Sequence, residues 1–246
     1  MSLRRIFRKL RKGGLLKLKR LLYEEILVLG DSHACIFRHK RIRRSLPRFF
    51  FNVTNVGGAT ASGLANPNSR SQAYQIFRDA LKTTKAKIVI VMLGEVDTGF
   101  VIWYRAKKYN EAVSVVMQAA IKTYTGFLSE IKASSIQVIC VSTPLPTIKD
   151  GNDWGEIANA RKEISATQVE RTALTLAFNQ QIEVFCQLEG ISFINLDKRS
   201  LGENGTVNPS LLNSNPNNHH YEPQAYAALL VGPLRDVAVS KSESGS

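Results

Sequence analysis

Short apolar runs recur along the chain at 26–30 (ILVLG), 50–56 (FFFNVTN), 87–93 (KIVIVML), 135–142 (SIQVICVS) and 191–196 (ISFINL). They are mostly continuous rather than alternating, which is the pattern of strands covered on both faces. Between them, apolar positions fall at helical spacing over 70–83, 110–132, 166–188 and 222–236. Strands alternating with helices of this length predict an α/β fold, a parallel sheet wrapped on both sides as a three-layer αβα sandwich. Such sheets bind ligands beyond the carboxyl ends of their strands, so chemistry is expected in the residues directly after each run.

Gly30-Asp31-Ser32-His33 follows the first run, Gly57-Gly58-Ala59-Thr60 the second and Gly94-Glu95-Val96-Asp97 the third. Ser142-Thr143-Pro144 and Asp197 follow the last two, and a polar loop near the C-terminus carries Asn217-Asn218-His219-His220-Tyr221. A serine at a strand-to-helix turn, glycines with free N–H groups and a distal histidine are the parts needed for acyl transfer: nucleophile, oxyanion donors and general base. Each part also has a plainer role. Ser32 and Asp31 are both good helix caps, and His33 fits a first helical turn. Glu95 and Asp97 suit a helix N-terminus, and Gly57-Gly58 suits a tight turn.

The ordered set GDSH, NVGGAT, LGEVD and NNHH, spanning most of residues 26–236, resembles the four sequence blocks of the SGNH, or GDSL-type, hydrolase superfamily. The expected architecture is a single α/β domain with a five-stranded parallel sheet in the flavodoxin-like order 2-1-3-4-5. The resemblance implies Ser32 as nucleophile, the N–H groups of Ser32 and Gly58 as oxyanion donors, and His220 as base. Two departures stand out. Asn217 occupies the position of the family's Asp, three residues before the histidine, and a neutral amide neither stabilises an imidazolium nor guarantees its tautomer. Val96 replaces the asparagine whose amide completes the family's oxyanion hole. Two readings fit these losses. One is a rewired serine esterase or acyl transferase using a Ser32–His220 dyad, with Asp31, His33, Glu95, Asp97 and His219 binding substrate or positioning the base. The other is a retired site kept as a binding or scaffolding module. The ligand implied is a small-molecule acyl ester, with a carbohydrate ester added by family analogy, and no cofactor is implied.

Composition changes the picture mainly at the front end. The chain has 246 residues, is 44% hydrophobic and carries a formal charge of +13. Of its 33 Lys/Arg, 15 lie in residues 1–50 against only Glu24, Glu25 and Asp31. Leu3, Ile6, Phe7, Leu10, Leu15, Leu18, Leu21 and Leu22 recur near helical spacing among these charges. Residues 3–22 and the run 38–48 therefore predict peripheral contact with an anionic membrane or a protein partner. Nucleic acid is disfavoured, because no nucleic-acid-binding motif accompanies the charge. The expected divisions are a basic helical extension over 1–24, the hydrolase-like domain over 25–238 and a disordered tail over 239–246. Three cysteines and no secretory-type apolar stretch predict a cytoplasmic protein. Four histidines without an HExxH or Cys/His cluster predict no metal. Trp103, Tyr104 and Arg105 close behind the third run, and Trp154 in the insertion after the fourth, are candidates for substrate walls with equally good readings as packing and loop residues.

Overall fold

A computed structural model describes residues 14–151 and 164–243. Its five strands are β1 Glu24–Gly30, β2 Phe49–Asn55, β3 Ile88–Met92, β4 Gln137–Val141 and β5 Ser192–Ile194, all parallel, in the order 2-1-3-4-5. Helix α1 covers 14–22, followed by α2 Lys40–Ser45, α3 Ala73–Thr83, α4 Ile102–Tyr109, α5 Val113–Ala133 and α6 Gln168–Leu188. The short α7 Asp197–Ser200 and the long α8 Pro223–Glu243 complete the set.

Side-chain alternation along the strands explains why they read as continuous apolar runs. Leu27, Leu29, Val89 and Val91 face one core, with Phe77 of α3, Tyr124 and Leu128 of α5 and Phe178 of α6. Ile26, Val28, Ile90 and Met92 face the other, with Phe37, Ile42 of α2, and Tyr226 and Leu230 of α8. Burying each such aliphatic or aromatic side chain is worth about 1.5–3 kcal/mol, so neither strand parity tolerates a polar residue.

Two boundaries differ from the expected ones for local reasons. The helix expected over 110–132 starts at Val113, because Asn110 takes a left-handed conformation (φ 51°) and closes the separate helix α4. The C-terminal helix, expected over 222–236, spans Pro223–Glu243. Of the basic extension expected over 1–24, residues 14–24 are described, and Trp154 lies outside the described residues.

Helix α1 sits at the amino ends of the strands. Arg20 donates to both carboxylate oxygens of Glu25 (2.6 and 3.1 Å) and to the carbonyl of Thr83 at the end of α3 (3.2 Å). Among the described residues no helix is long and apolar enough to cross a membrane.

Candidate active site

β1 ends at Gly30, which packs directly against the carbonyl of Met92; a Cβ there would collide with that oxygen. The chain then turns. Asp31, not Ser32, caps the 3-10 helix Ser32–Arg38: its Oδ1 accepts the His33 N–H at 2.8 Å and lies 3.2 Å from His33 Nδ1. With the cap supplied by Asp31, the Ser32 hydroxyl is available for another partner. His33 is buried, as is Asp31, whose Oδ2 has no hydrogen-bond partner.

That other partner comes from 188 residues downstream: His220 Nε2 lies 2.8 Å from Ser32 Oγ. The loop that delivers it is built from consecutive Asx turns, in which an asparagine oxygen accepts an N–H two residues on. Asn213 Oδ1 accepts the Asn215 N–H, Asn215 Oδ1 accepts the Asn217 N–H, and Asn218 Oδ1 accepts the His220 N–H, each at 3.0 Å. Asn218 Oδ1 also lies 2.9 Å from His220 Nδ1. The orienting side chain is therefore Asn218, one residue beyond Asn217, where the family pattern placed it. The double contact also fixes the tautomer. An atom that accepts a backbone N–H is the amide oxygen, so Nδ1 must carry the proton and Nε2 is left to accept from Ser32.

The loop is tied down on either side of His220. Thr147 Oγ1 donates to the carbonyl of His219 at 2.6 Å, and the Leu145 N–H donates to Tyr221 Oη at 2.7 Å. The three imidazoles pack together, with ring centroids 4.3 Å apart for His219–His220 and 4.5 Å for His33–His220. Burial pushes the His220 pKa down to about 4; His33 and His219 push the same way, and buried Glu95 opposes them. His220 is thus neutral at pH 7, the state in which Nε2 can accept a proton.

The remaining candidates divide by what they touch. Gly58 adopts φ +70°, which favours glycine, and is exposed in the turn after β2. Val56 N–H donates to the Gly30 carbonyl at 2.9 Å, so this turn leaves the sheet beside Ser32. Asp97 is fully buried, and its carboxylate accepts the N–H groups of Ala61 (2.6 Å) and Ser62 (3.0 Å), which fastens the Gly58 loop to β3. Burial raises its pKa to about 6. Val96 is half-buried and offers no amide. Trp103 spends its indole N–H on the Thr98 carbonyl (2.8 Å), and Tyr104 stacks on Phe100. Arg105 acts electrostatically on Asp97.

Beside Ser32 and His220 a cleft of about 490 Å³ opens between the 3-10 helix and the start of α8. Ile36, Tyr221, Pro223 and Tyr226 contribute its apolar wall. Among the described residues no group of three or more His, Cys, Asp or Glu side chains is placed to hold a metal ion.

No family model matches the chain, and no curated protein matches its sequence. Solved structures do match. A GDSL-like lipase from Bacteroides thetaiotaomicron superposes with TM-score 0.58 at 18% identity, covering 89% of each chain. An acetyl xylan esterase superposes with TM-score 0.55 at 10% identity, covering 87% of this chain and 98% of the other. The chain has the SGNH-hydrolase fold. Of the two departures noted in the sequence, Val96 offers no side-chain amide, and the amide that meets His220 Nδ1 is that of Asn218 rather than Asn217.

Proposed function

We propose that the protein is an SGNH-type serine ester hydrolase or acyl transferase. The observation that carries this reading is the chain Ser32 Oγ, His220 Nε2, His220 Nδ1, Asn218 Oδ1, with 2.8 and 2.9 Å contacts and the tautomer set by the amide. His220 Nε2 takes the Ser32 proton as Oγ bonds to the ester carbonyl carbon, and the N–H groups of Ser32 and Gly58 hold the oxyanion. The tetrahedral adduct collapses with loss of the alcohol, which leaves with the proton from Nε2. The oxygen of water, or of an acceptor alcohol in the transfer case, then bonds to the acyl carbon as His220 Nε2 takes its proton, and the bond from that carbon to Ser32 Oγ breaks as Oγ receives the proton back from Nε2.

A carbohydrate ester is one candidate substrate, supported by the fold shared with an acetyl xylan esterase. A cytoplasmic site of action, peripheral to an anionic membrane or a protein partner through residues 3–22 and 38–48, belongs to the same reading. One observation favours the alternative of a binding module: a base whose pKa is pushed to about 4 and whose orienter is uncharged is poorly matched to catalysis at neutral pH.

Hydrolysis of 4-nitrophenyl acetate by wild type, Ser32→Ala and His220→Ala separates the two. The ester-hydrolase reading predicts a fall in kcat of about 10³-fold or more in each variant. Equal rates in all three would leave only the binding module.

A further inference from the structure

We infer that the cleft beside Ser32 recognises an ester carrying an anionic group, a carboxylate or a phosphate, and that Arg38 with His39 is the recognition element. The inference deepens the ester-hydrolase reading and rests on it for the identity of the ligand.

Arg38 ends the same 3-10 helix that Ser32 begins, and both line the cleft. At about 2.0 Å rise per residue, six steps separate their backbones by about 12 Å, within the span of one small ester. The guanidinium is held but not neutralised. Its Nη2 donates to the Val53 carbonyl at 2.9 Å and its Nη1 to Cys35 Sγ at 3.2 Å, both uncharged acceptors. Arg20, Arg48, Arg78 and Arg171, by contrast, each face a carboxylate. Arg38 has no such partner among the described residues, and its exposed fork keeps spare donors.

His39 adds a second donor. Its Nδ1 accepts the Arg41 N–H at 3.3 Å, so the ring proton sits on Nε2, which has no acceptor among the described residues. The cleft lining includes no Asp or Glu. Of the acids next to lining residues in sequence, Asp31 is buried against His33, and Glu222, half-buried between Tyr221 and Pro223, accepts the Ala225 N–H at the start of α8. Lys40, Arg41, Arg43 and Arg44 follow directly, exposed on α2, and extend the field. A cation at a cleft that Ile36 and Pro223 also line attracts an anion more strongly than one in open water, and a guanidinium fork matches carboxylate or phosphate oxygens two at a time.

The test pairs charged and neutral esters: mono-4-nitrophenyl glutarate against 4-nitrophenyl valerate for charge on the acyl side, and 3-carboxyphenyl acetate against phenyl acetate for charge on the alcohol side. In at least one pair, wild type is expected to favour the anionic member in kcat/KM about tenfold or more. That ratio falls about tenfold in Arg38→Gln and less in Arg38→Lys, which keeps the charge and loses the fork. Calorimetric titration of Ser32→Ala with the same esters reads recognition without turnover, and Arg38→Gln in that background abolishes the preference. Charge-selective binding without hydrolysis by wild type would sink the ester-hydrolase reading alone. Neutral members favoured in both pairs, or an Arg38→Gln ratio equal to wild type, would overturn the role of Arg38.

Discussion

Oδ1 of Asn218 accepts two N–H groups of one histidine, and that double contact supplies half of what an aspartate would. It fixes the tautomer, but it would leave the imidazolium of the proposed reaction without a counter-charge. Asn218→Asp keeps both contacts and adds the charge. An adjacent anion favours the protonated ring, so the His220 pKa rises from its depressed value. The expected outcome is a gain in kcat of about tenfold or more at pH 7–8, measured on a short-chain nitrophenyl ester. The pH dependence carries the same signature. His220 must be neutral to act, and its pKa lies near 4, so wild-type kcat/KM stays flat down through pH 6 and falls to half near pH 4. In Asn218→Asp that acid limb moves upward; a wild-type limb near 6.5 would contradict the burial argument.

Sequence blocks identified Ser32, Gly58 and His220 as a set, and the structure brings Ser32 and His220 to one point, but the orienter was misplaced by one position. The family spacing pointed to Asn217, whereas the Asx turns on Asn213 and Asn215 lead to Asn217 as a donor, and the contact to His220 comes from Asn218, one position out of step with them. Arg38 was hidden for a different reason. In the sequence it opens a basic run, and only the pitch of the 3-10 helix separates it from its neighbours on α2.

The inner strands β1, β3 and β4 were readable because they are buried on both faces, whereas the edge strands β2 and β5 are half-buried over much of their length. β5 is shorter than its apolar run: after Ile194 the chain leaves the sheet, and the Leu196 N–H donates to Ser142 Oγ at 3.0 Å. Connections between elements were harder, because they are set by single backbone conformations. Gly94, between β3 and the Glu95-Val96-Asp97 segment, takes φ +126°, and a Cβ there would lie 2.5 Å from Thr143 Oγ1 and 2.9 Å from Phe178 Cε1. Gly94→Ala combines a strained backbone with overpacking, a cost of about 3 kcal/mol. Calorimetry should show a Tm lower by about 6–12 °C. An unchanged Tm would mean that the β3–α6 contact yields easily.

Charge in the intact chain is concentrated at its front. Helix α1 leaves Leu15, Leu18, Leu21 and Leu22 between 52% and 81% exposed, with Lys17 and Lys19 on the same short helix. Exposed leucines interleaved with lysines suit the interface of an anionic bilayer, and the Lys/Arg of residues 1–12 add to the attraction. The full chain should co-sediment with phosphatidylserine-containing vesicles at low salt, less so at 0.5 M salt, and weakly with neutral vesicles. Leu18→Glu with Leu22→Glu should abolish the binding; retention of that double variant on the vesicles would exclude α1 as the contact.

Helix α1 feeds the amino end of β1, and Ser32 follows its carboxyl end, with the seven residues Glu24–Gly30 between them. At about 3.3 Å per residue the strand holds the two roughly 20 Å apart. A protein resting on lipid through α1 alone would therefore carry Ser32 on the far side, like a lamp on a post. It would reach esters that stand well clear of the headgroups or diffuse past them, and it would leave untouched the acyl linkages of the very lipids beneath it.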